Sequence, residues 1–283
     1  MAAFTNQATL SYNGNTINSN TVTGNIIEVL SAAKTSVLDS YVANENITYI
    51  ISITNSGSTP LSGVSVTDNL GEYTSGSLTL VPLDYIDGSV IYYQNGIVQP
   101  APVVTATQPL TITGITIPAN GNAIIVYEVA TNSFAPLGEG STIINEATIA
   151  APGIANPVVV EETVSVATGA TLSITKSLSP VNIAENEELT YTFIIQNSGN
   201  APAVATDDIV ITDTFNPVLS DLTVTVNGAV VSPASYSYNE TTGVFSTLPG
   251  IITVPAATYT QDPVTGAQII TPGVTTVTVS GTV

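Results

Sequence analysis

The sequence predicts an all-β protein with two tandem β-sandwich repeats. Valine, isoleucine and threonine are abundant, the 21 glycines and 17 prolines fall between apolar runs, and no long helical periodicity occurs. This pattern is typical of many short strands joined by turns. A chain of 283 residues is also long enough for two domains of about 100 to 150 residues, each with its own core.

The first 29 residues predict a separate β-hairpin. Residues 5–12 alternate as a strand does, and Asn13-Gly14-Asn15 offers the positive φ values of a tight hairpin turn. A second strand is expected from about Thr16 to Val29. The stretch Phe4-Thr-Asn-Gln-Ala-Thr-Leu10 also matches Ile143-Ile-Asn-Glu-Ala-Thr-Ile149. We therefore assign residues 1–29 to a donor hairpin that copies a mid-chain strand.

The two repeats are predicted to span residues 30–168 and 169–283. They align at an offset of 176 − 34 = 142 residues without gaps through the first tyrosine-bearing strand and its Asn-Ser-Gly turn. A three-residue insertion follows before the next matched strand. The matched pairs include Lys34 and Lys176, Glu45 and Glu187, Tyr49 and Tyr191, Asn55 and Asn197, and Asp68 and Asp213.

The second repeat is expected to lack its last strand or strands. In the first repeat, Ala147-Thr-Ile149 and Val158–Val164 follow the matched region, and they resemble the N-terminal hairpin. A sandwich without an inner strand exposes an apolar groove and an unpaired edge. We expect the N-terminus of a neighbouring subunit to supply that strand, in a heterologous contact that generates an open head-to-tail filament.

Composition argues against several functional classes. The formal net charge of −19 disfavours nucleic acid and anionic membranes as partners. With no cysteine and no histidine, a disulfide framework, an ordinary zinc site and a Ser-His-Asp triad are excluded. We expect no cofactor, no metal and no turnover enzyme. Neither a signal peptide nor an apolar run of about 18 residues is visible, so no membrane insertion is expected.

Lys34 and Lys176 are the chain's two basic residues, at the same position of the two repeats. One alternative is a pair of solvated strand-end lysines. The other is chemical: a lysine buried in an apolar core becomes a neutral nucleophile. It could attack the side-chain carbonyl of an asparagine while a carboxyl group shuttles protons, so that an amide forms and ammonia leaves.

The candidate residues follow from the repeat alignment. The first repeat offers Lys34, Asp68 and Asn145 for an intramolecular crosslink. The second offers Lys176 and Asp213, and Asn6 of the next subunit would provide the carboxamide of an intermolecular crosslink. Glu45 and Glu187 are alternative acids, but we favour the aspartates because a mid-strand carboxylate can lie beside a core lysine.

The pattern Lys…Asn-Glu-x-x-Thr-Tyr…Asn-Ser-Gly…Thr-Asp…Asn-x-Ala-Thr resembles the bacterial surface repeat known as domain of unknown function 11. The order Lys, Asp, Asn also resembles the isopeptide-bonded immunoglobulin-like domains of Gram-positive pilins and collagen adhesins. These resemblances imply immunoglobulin-like sandwiches and a self-catalysed, single-turnover Lys–Asn bond.

Together these observations predict a structural subunit of an extracellular or spore-surface fibre. Its partners would be copies of itself, with a possible anchor or tip protein. The competing interpretation is a monomeric stalk fragment of a bacterial surface adhesin, acting as a binding module. In that case residues 1–33 would be a linker.

Overall fold

The protein is all-β in a computed structural model that describes residues 2–26 and 29–283. Two 3-10 turns, Ala205–Asp207 and Pro233–Ser235, interrupt an otherwise strand-and-loop architecture. Within the described ranges, no helix has both the length and the apolar character needed to cross a membrane. The strands form an N-terminal hairpin and two immunoglobulin-like sandwiches.

The N-terminal hairpin turns at Asn13 and Gly14, whose φ values of 49° and 77° suit a tight two-residue turn. Each predicted strand is interrupted once in the hydrogen-bond ladder of the hairpin. At this interruption the Ser19 amide donates to the Ala8 carbonyl and the Ala8 amide donates to the Ser19 hydroxyl. Residues 1, 27 and 28 of the predicted donor segment lie outside the described part of the chain. The hairpin strands are β1 (Ala2–Asn6), β2 (Thr9–Tyr12), β3 (Asn15–Asn18) and β4 (Val22–Ile26), with β1 paired to β4 and β2 to β3.

The first sandwich contains the next fourteen strands. They are β5 (Leu30–Ser36), β6 (Ser40–Tyr41), β7 (Asn46–Asn55), β8 (Leu61–Asp68), β9 (Tyr73–Ser75), β10 (Leu78–Leu80), β11 (Leu83–Tyr85), β12 (Ile91–Gln94), β13 (Ile97–Gln99), β14 (Val103–Thr107), β15 (Leu110–Ile117), β16 (Gly121–Thr131), β17 (Thr142–Ala150) and β18 (Val158–Val166). One sheet has the order β13-β12-β16-β7-β5, with β11 beside β16, and the facing sheet has the order β14-β15-β8-β17-β18-β6.

Alternation along the central strands builds the core of this sandwich. On β7, every second residue from Ile47 to Ile53 is fully buried, including Tyr49, as the sequence pattern predicts. Strands β17 and β18 contribute Ala147, Ile149 and Val164 to the same core. Each large apolar side chain buried in this way stabilises the fold by about 1.5 to 3 kcal/mol.

The second sandwich repeats this plan with fewer strands. They are β19 (Leu172–Ser179), β20 (Glu188–Asn197), β21 (Thr212–Thr214), β22 (Ser220–Val226), β23 (Ala229–Val230), β24 (Tyr236–Tyr238), β25 (Val244–Thr247), β26 (Thr258–Gln261), β27 (Gln268–Thr271) and β28 (Gly273–Thr282). The main sheet has the order β19-β20-β28-β22-β23, the facing sheet has the order β21-β25-β24, and β26 pairs with β27.

The facing sheets differ at one edge. In the first sandwich, β8 lies between β15 and β17. Its counterpart β21 pairs with β25 and, among the described residues, with no other strand. All eight residues of β19 are exposed, whereas its counterpart β5 is covered by β18 and buries Leu30 and Lys34. The described part of the second sandwich therefore has an open edge where β17 and β18 close the first.

The hairpin of β26 and β27 joins the two sandwiches. Gln261 donates a hydrogen bond to the Tyr73 hydroxyl at 2.9 Å, and the Gln268 amide donates to the Ser133 carbonyl at 2.8 Å. Tyr259 packs against the core of the first sandwich. These contacts place the two sandwiches against each other.

Both sandwiches fix the loop after their tyrosine-bearing strand with a buried asparagine. The Asn197 amide group donates to the carbonyls of Ala201 and Pro255, at 2.8 and 3.1 Å. Its oxygen accepts from the amides of Thr171 and Gly199, both at 2.9 Å. Asn55 makes the corresponding bonds in the first sandwich, to Thr59, Pro118 and Gly57. This role explains why the Asn-Ser-Gly sequence recurs.

We predict that Asn197→Ala destabilises the second sandwich by about 2 to 4 kcal/mol, because four backbone groups lose their buried partner. The neighbouring exposed Ser198→Ala serves as the control and should change stability little. The midpoint of urea unfolding, followed by circular dichroism, measures both variants. Equal midpoints for the two variants would contradict the assigned role.

Candidate functional site

Three strands bring the predicted residues of the first repeat together. Lys34 lies on β5, Asp68 ends β8 and Asn145 lies on β17. All three side chains face inward, because each occupies a buried position in the alternation of its strand. Pairing of β8 with β17 places Ala147 opposite Asp68, so Asn145 lies two residues from that pair. The sequence placed these residues in one domain, and the pairing gathers them at one point in its core.

The Lys34 ammonium group and the Asp68 carboxylate form an ion pair. The Nζ atom is 2.6 Å from Oδ2, and neither side chain is exposed to solvent. Nζ also donates a hydrogen bond to the backbone carbonyl of Asn145 at 2.9 Å. Burial lowers the pKa of Lys34 to about 8, although Asp68 raises it in opposition. A neutral lysine amine is therefore accessible near physiological pH.

The carboxylate of Asp68 has a defined set of donors. Its Oδ1 accepts from the Leu70 amide at 2.9 Å. Its Oδ2 accepts from Lys34 and from the hydroxyl of Tyr127, a residue of β16. Sequence comparison of the repeats missed Tyr127, because Val279 stands at the corresponding position of the second repeat.

The Asn145 side chain is fully buried and is only partly hydrogen-bonded. Its Oδ1 accepts from the Gly71 amide at 3.2 Å. Its Nδ2 has no hydrogen-bond partner in the part of the chain that the structure describes. A backbone donor on the carbonyl oxygen can stabilise negative charge that develops there when a nucleophile attacks. The carboxamide is thus held by its oxygen.

The two alternative acids have other roles. Glu45 accepts from the Val42 amide at 2.8 Å, and Glu187 accepts from the Ala184 amide at 3.0 Å. Each glutamate closes the turn before a tyrosine-bearing strand. The structure places an aspartate, and neither of these glutamates, in contact with each lysine.

The second repeat presents the same pair in a more solvated setting. Lys176 on β19 forms an ion pair with Asp213 on β21, but their side chains are 40% and 18% exposed. The Lys176 Nζ also lies 4.4 Å from the centroid of the Tyr191 ring. Lys34 has a similar contact with the Tyr49 ring, at 4.8 Å. The two sites therefore differ in solvent exposure, since the Lys34 and Asp68 side chains are fully enclosed and those of Lys176 and Asp213 are not.

An open groove of about 350 Å³ surrounds Lys176 and Asp213. Its walls include Ile174, Phe193 and Val210. Asn6, the predicted carboxamide of this site, lies on β1 of the hairpin with an exposed side chain. In this single chain, the second site contains the amine and the acid, and the described residues around the groove include no counterpart of Asn145.

No protein-family model matches the chain, and no characterised protein sequence matches it. Distant similarity to solved structures is found. A variant of the major pilin subunit of Bacillus cereus is 15% identical, with 94% of this chain and 70% of that chain covered and a TM-score of 0.39. The pilus backbone of Streptococcus pneumoniae is 9% identical, with 86% and 55% covered and a TM-score of 0.35. The collagen-binding subdomain of the Enterococcus faecalis surface protein ACE is 7% identical, with 50% and 99% covered and a TM-score of 0.33.

These three similarities are to pilins and to a surface adhesin, at identities of 15% or less. Membership of the domain of unknown function 11 repeat stays a prediction from the sequence.

We predict a specific pH dependence for the first sandwich when Lys34 is unreacted, as in Asn145→Ala. The folded pKa of Lys34, about 8, lies below its ordinary value of 10.5, so the unfolded chain binds more protons between these pH values. The stability of Asn145→Ala should therefore rise from pH 8 to pH 10.5, by on the order of 1 to 3 kcal/mol.

The matched control is the double variant Asn145→Ala/Lys34→Met, which should lack this rise. At each pH, the difference between the unfolding free energies of the two variants gives the contribution of the lysine, because both variants contain the same tyrosines. A difference that stays flat across the range would contradict the assigned burial of the amine.

Proposed function

We propose that the chain is a structural subunit of an extracellular surface fibre, polymerised by strand donation and locked by Lys–Asn isopeptide bonds. One observation carries the proposal: the chain contains the same site twice, once closed and once open. Strands β17 and β18 close the first site, and the N-terminal hairpin resembles those strands, with the Asn, Ala and Thr of β17 at the same spacing.

The donated strand could pair with the second sandwich in the same register in which β17 pairs with β8. In the first sandwich, Ala147 lies opposite Asp68 and Ile149 lies opposite Val66. In the donated strand, the corresponding residues are Ala8 and Leu10, which would lie opposite Asp213 and Ile211. This register would bring Asn6 to Lys176, as Asn145 lies beside Lys34 in the first sandwich.

Burial of apolar surface would drive this association. The hairpin exposes Phe4, Leu10 and Ile17, each more than half exposed, and β19 exposes Ile174 and Leu178. Each such side chain that becomes fully buried contributes about 1.5 to 3 kcal/mol. The second strand of the hairpin would cover β19 as β18 covers β5, and it would remove Lys176 from water.

The proposed reaction is the same in both sites. In the first, the Lys34 ammonium group transfers a proton to Asp68, and the neutral amine attacks Cγ of Asn145. The Gly71 amide donates to the oxygen that gains negative charge. Asp68 then gives the proton from Lys34 to Nδ2 and takes one from the attacking nitrogen, the Cγ–Nδ2 bond breaks, and ammonia leaves. The proton left on Asp68 departs with the ammonia as ammonium, which restores the carboxylate. No atom is oxidised or reduced, and the lysine is consumed in one turnover.

The two bonds would have different consequences. An intramolecular bond between Lys34 and Asn145 spans 111 residues and, treated as any crosslink, would stabilise the first sandwich by roughly 4 to 5 kcal/mol. An intermolecular bond between Lys176 and Asn6 would make the filament one covalent polymer. Because donor and groove are different surfaces, the contact repeats without closing, and copies of the chain are the main partners.

The intramolecular bond predicts that the folded chain weighs about 17 Da less than its sequence, the mass of one ammonia. Peptide mapping should find Lys34 joined to Asn145. Asn145→Ala should keep its full mass, whereas the control Asn122→Ala, on β16 in the facing sheet of the same sandwich, should lose the ammonia. Wild-type protein at full sequence mass would defeat the isopeptide chemistry.

The intermolecular bond predicts a ladder of multimers that survives boiling in detergent and reductant. Asn6→Ala should still form filaments in negative-stain micrographs but run as a monomer after boiling, because strand donation does not need the carboxamide. Deletion of residues 1–12 should abolish filaments.

Asn18→Ala is the matched control, because Asn18 lies in the same hairpin on β3. It should keep the ladder. A wild-type chain that stays monomeric and lighter by one ammonia would favour the stalk-fragment interpretation instead, and filaments formed by the deletion variant would defeat strand donation.

A further inference from the structure

We propose that the hydroxyl of Tyr127 is a positioning group for bond formation in the first sandwich, and that the second sandwich works without it. The hydroxyl would hold the Asp68 carboxylate toward Lys34 and Asn145. This inference rests on the isopeptide chemistry proposed above.

The geometry around Asp68 carries the first step of the argument. Tyr127 is fully buried, and its hydroxyl donates to Oδ2, the oxygen that lies 2.6 Å from the Lys34 amine. The Leu70 amide fixes the other oxygen. The carboxylate therefore has a donor on each oxygen besides the lysine, and its rotation is blocked from both sides. Burial raises the pKa of Tyr127 well above its ordinary value, so the phenol keeps the proton that it donates.

The second sandwich has an aromatic ring in the place of the Tyr127 ring, but that ring has no hydroxyl. Tyr127 pairs across strands with Tyr49, and Val279 pairs with Tyr191, so Val279 occupies the position of Tyr127. The missing ring comes from Phe215, which stacks on Tyr191 with centroids 4.7 Å apart, much as Tyr127 stacks on Tyr49 at 5.8 Å.

Phe215 aligns with Leu70, two residues after the aspartate in each repeat. At these two aligned positions the first sandwich has Tyr127 and Leu70, whereas the second has Val279 and Phe215. Each sandwich therefore has one aromatic ring against the tyrosine beside its lysine. Only in the first sandwich does the ring that stacks on this tyrosine have a hydroxyl of its own, because Phe215 has none. Packing therefore requires the ring, and the hydroxyl is left with the contact to Asp68 as its distinct role.

A donor on a carboxylate favours its ionised form, which is the form that accepts the proton from Lys34. The other titratable groups that face the pair are Tyr49, Glu146 and Glu162. Loss of the hydroxyl should therefore slow the reaction most below the pKa of Lys34, about 8, where the ammonium group must pass its proton to Asp68 before it can attack. The acidic limb of the pH profile would then lie at higher pH.

The test compares Tyr127→Phe with wild-type chain, each isolated in urea at full unreacted mass and refolded by dilution at a series of pH values. The loss of about 17 Da is followed by mass spectrometry over time. We expect Tyr127→Phe to react slower by on the order of tenfold, the rate equivalent of one hydrogen bond, with its acidic limb at higher pH.

The matched control is Tyr92→Phe, which removes a buried tyrosine hydroxyl from the same sandwich. That hydroxyl donates to the Thr116 carbonyl, away from Asp68. This variant should keep the wild-type rate and pH profile. Circular dichroism and the urea midpoint check that both variants fold.

The outcomes separate the two proposals. A wild-type chain that never loses ammonia defeats the proposed function itself. A wild-type chain that reacts while Tyr127→Phe matches its rate and pH profile overturns the positioning role alone. A Tyr127→Phe chain that is slower by the same factor at every pH also overturns it, because the hydroxyl would then act only through packing.

Discussion

The buried ion pair between Lys34 and Asp68 is the constraint on which the first sandwich depends. Removing two charges from water is costly, and only good geometry with further hydrogen bonds offsets that cost. Here the offset comes from the Leu70 amide, the Tyr127 hydroxyl and the Asn145 carbonyl, each on a different segment. The pair therefore ties together both sheets, and it leaves an amine in the core whose neutral form is within reach.

The second sandwich contains the same pair without the same burial. In the described part of the chain, its exposed β19 and the open edge of β21 leave Lys176 and Asp213 in contact with water. Under the proposed function, this difference sets the order of events. The closed site can react as soon as the chain folds, whereas the open site waits for a strand that excludes water.

Recurrent local devices hold the framework in which these sites lie. Asn55 and Asn197 fix matching loops through their side-chain amides, and the hairpin of β26 and β27 packs the second sandwich on the first. Under the proposed function, such joints would transmit tension from one sandwich to the next along the polymer. The formal charge of −19 suits a chain that must stay soluble until it meets its neighbour.

The sequence by itself determined the all-β class, the repeat and the residues of the proposed reaction, because strand alternation and a constant offset are local patterns that need no knowledge of distant contacts. It also matched the hairpin to β17. Only the tertiary structure decided which carboxylate meets each lysine, since Asp68 and Glu45 are equally well matched in sequence. It alone showed the donors Tyr127 and Gly71, and the ring that Phe215 supplies in place of Tyr127. These contacts depend on the register between strands far apart in the chain, and a shift of one residue in that register would turn every side chain to the opposite face.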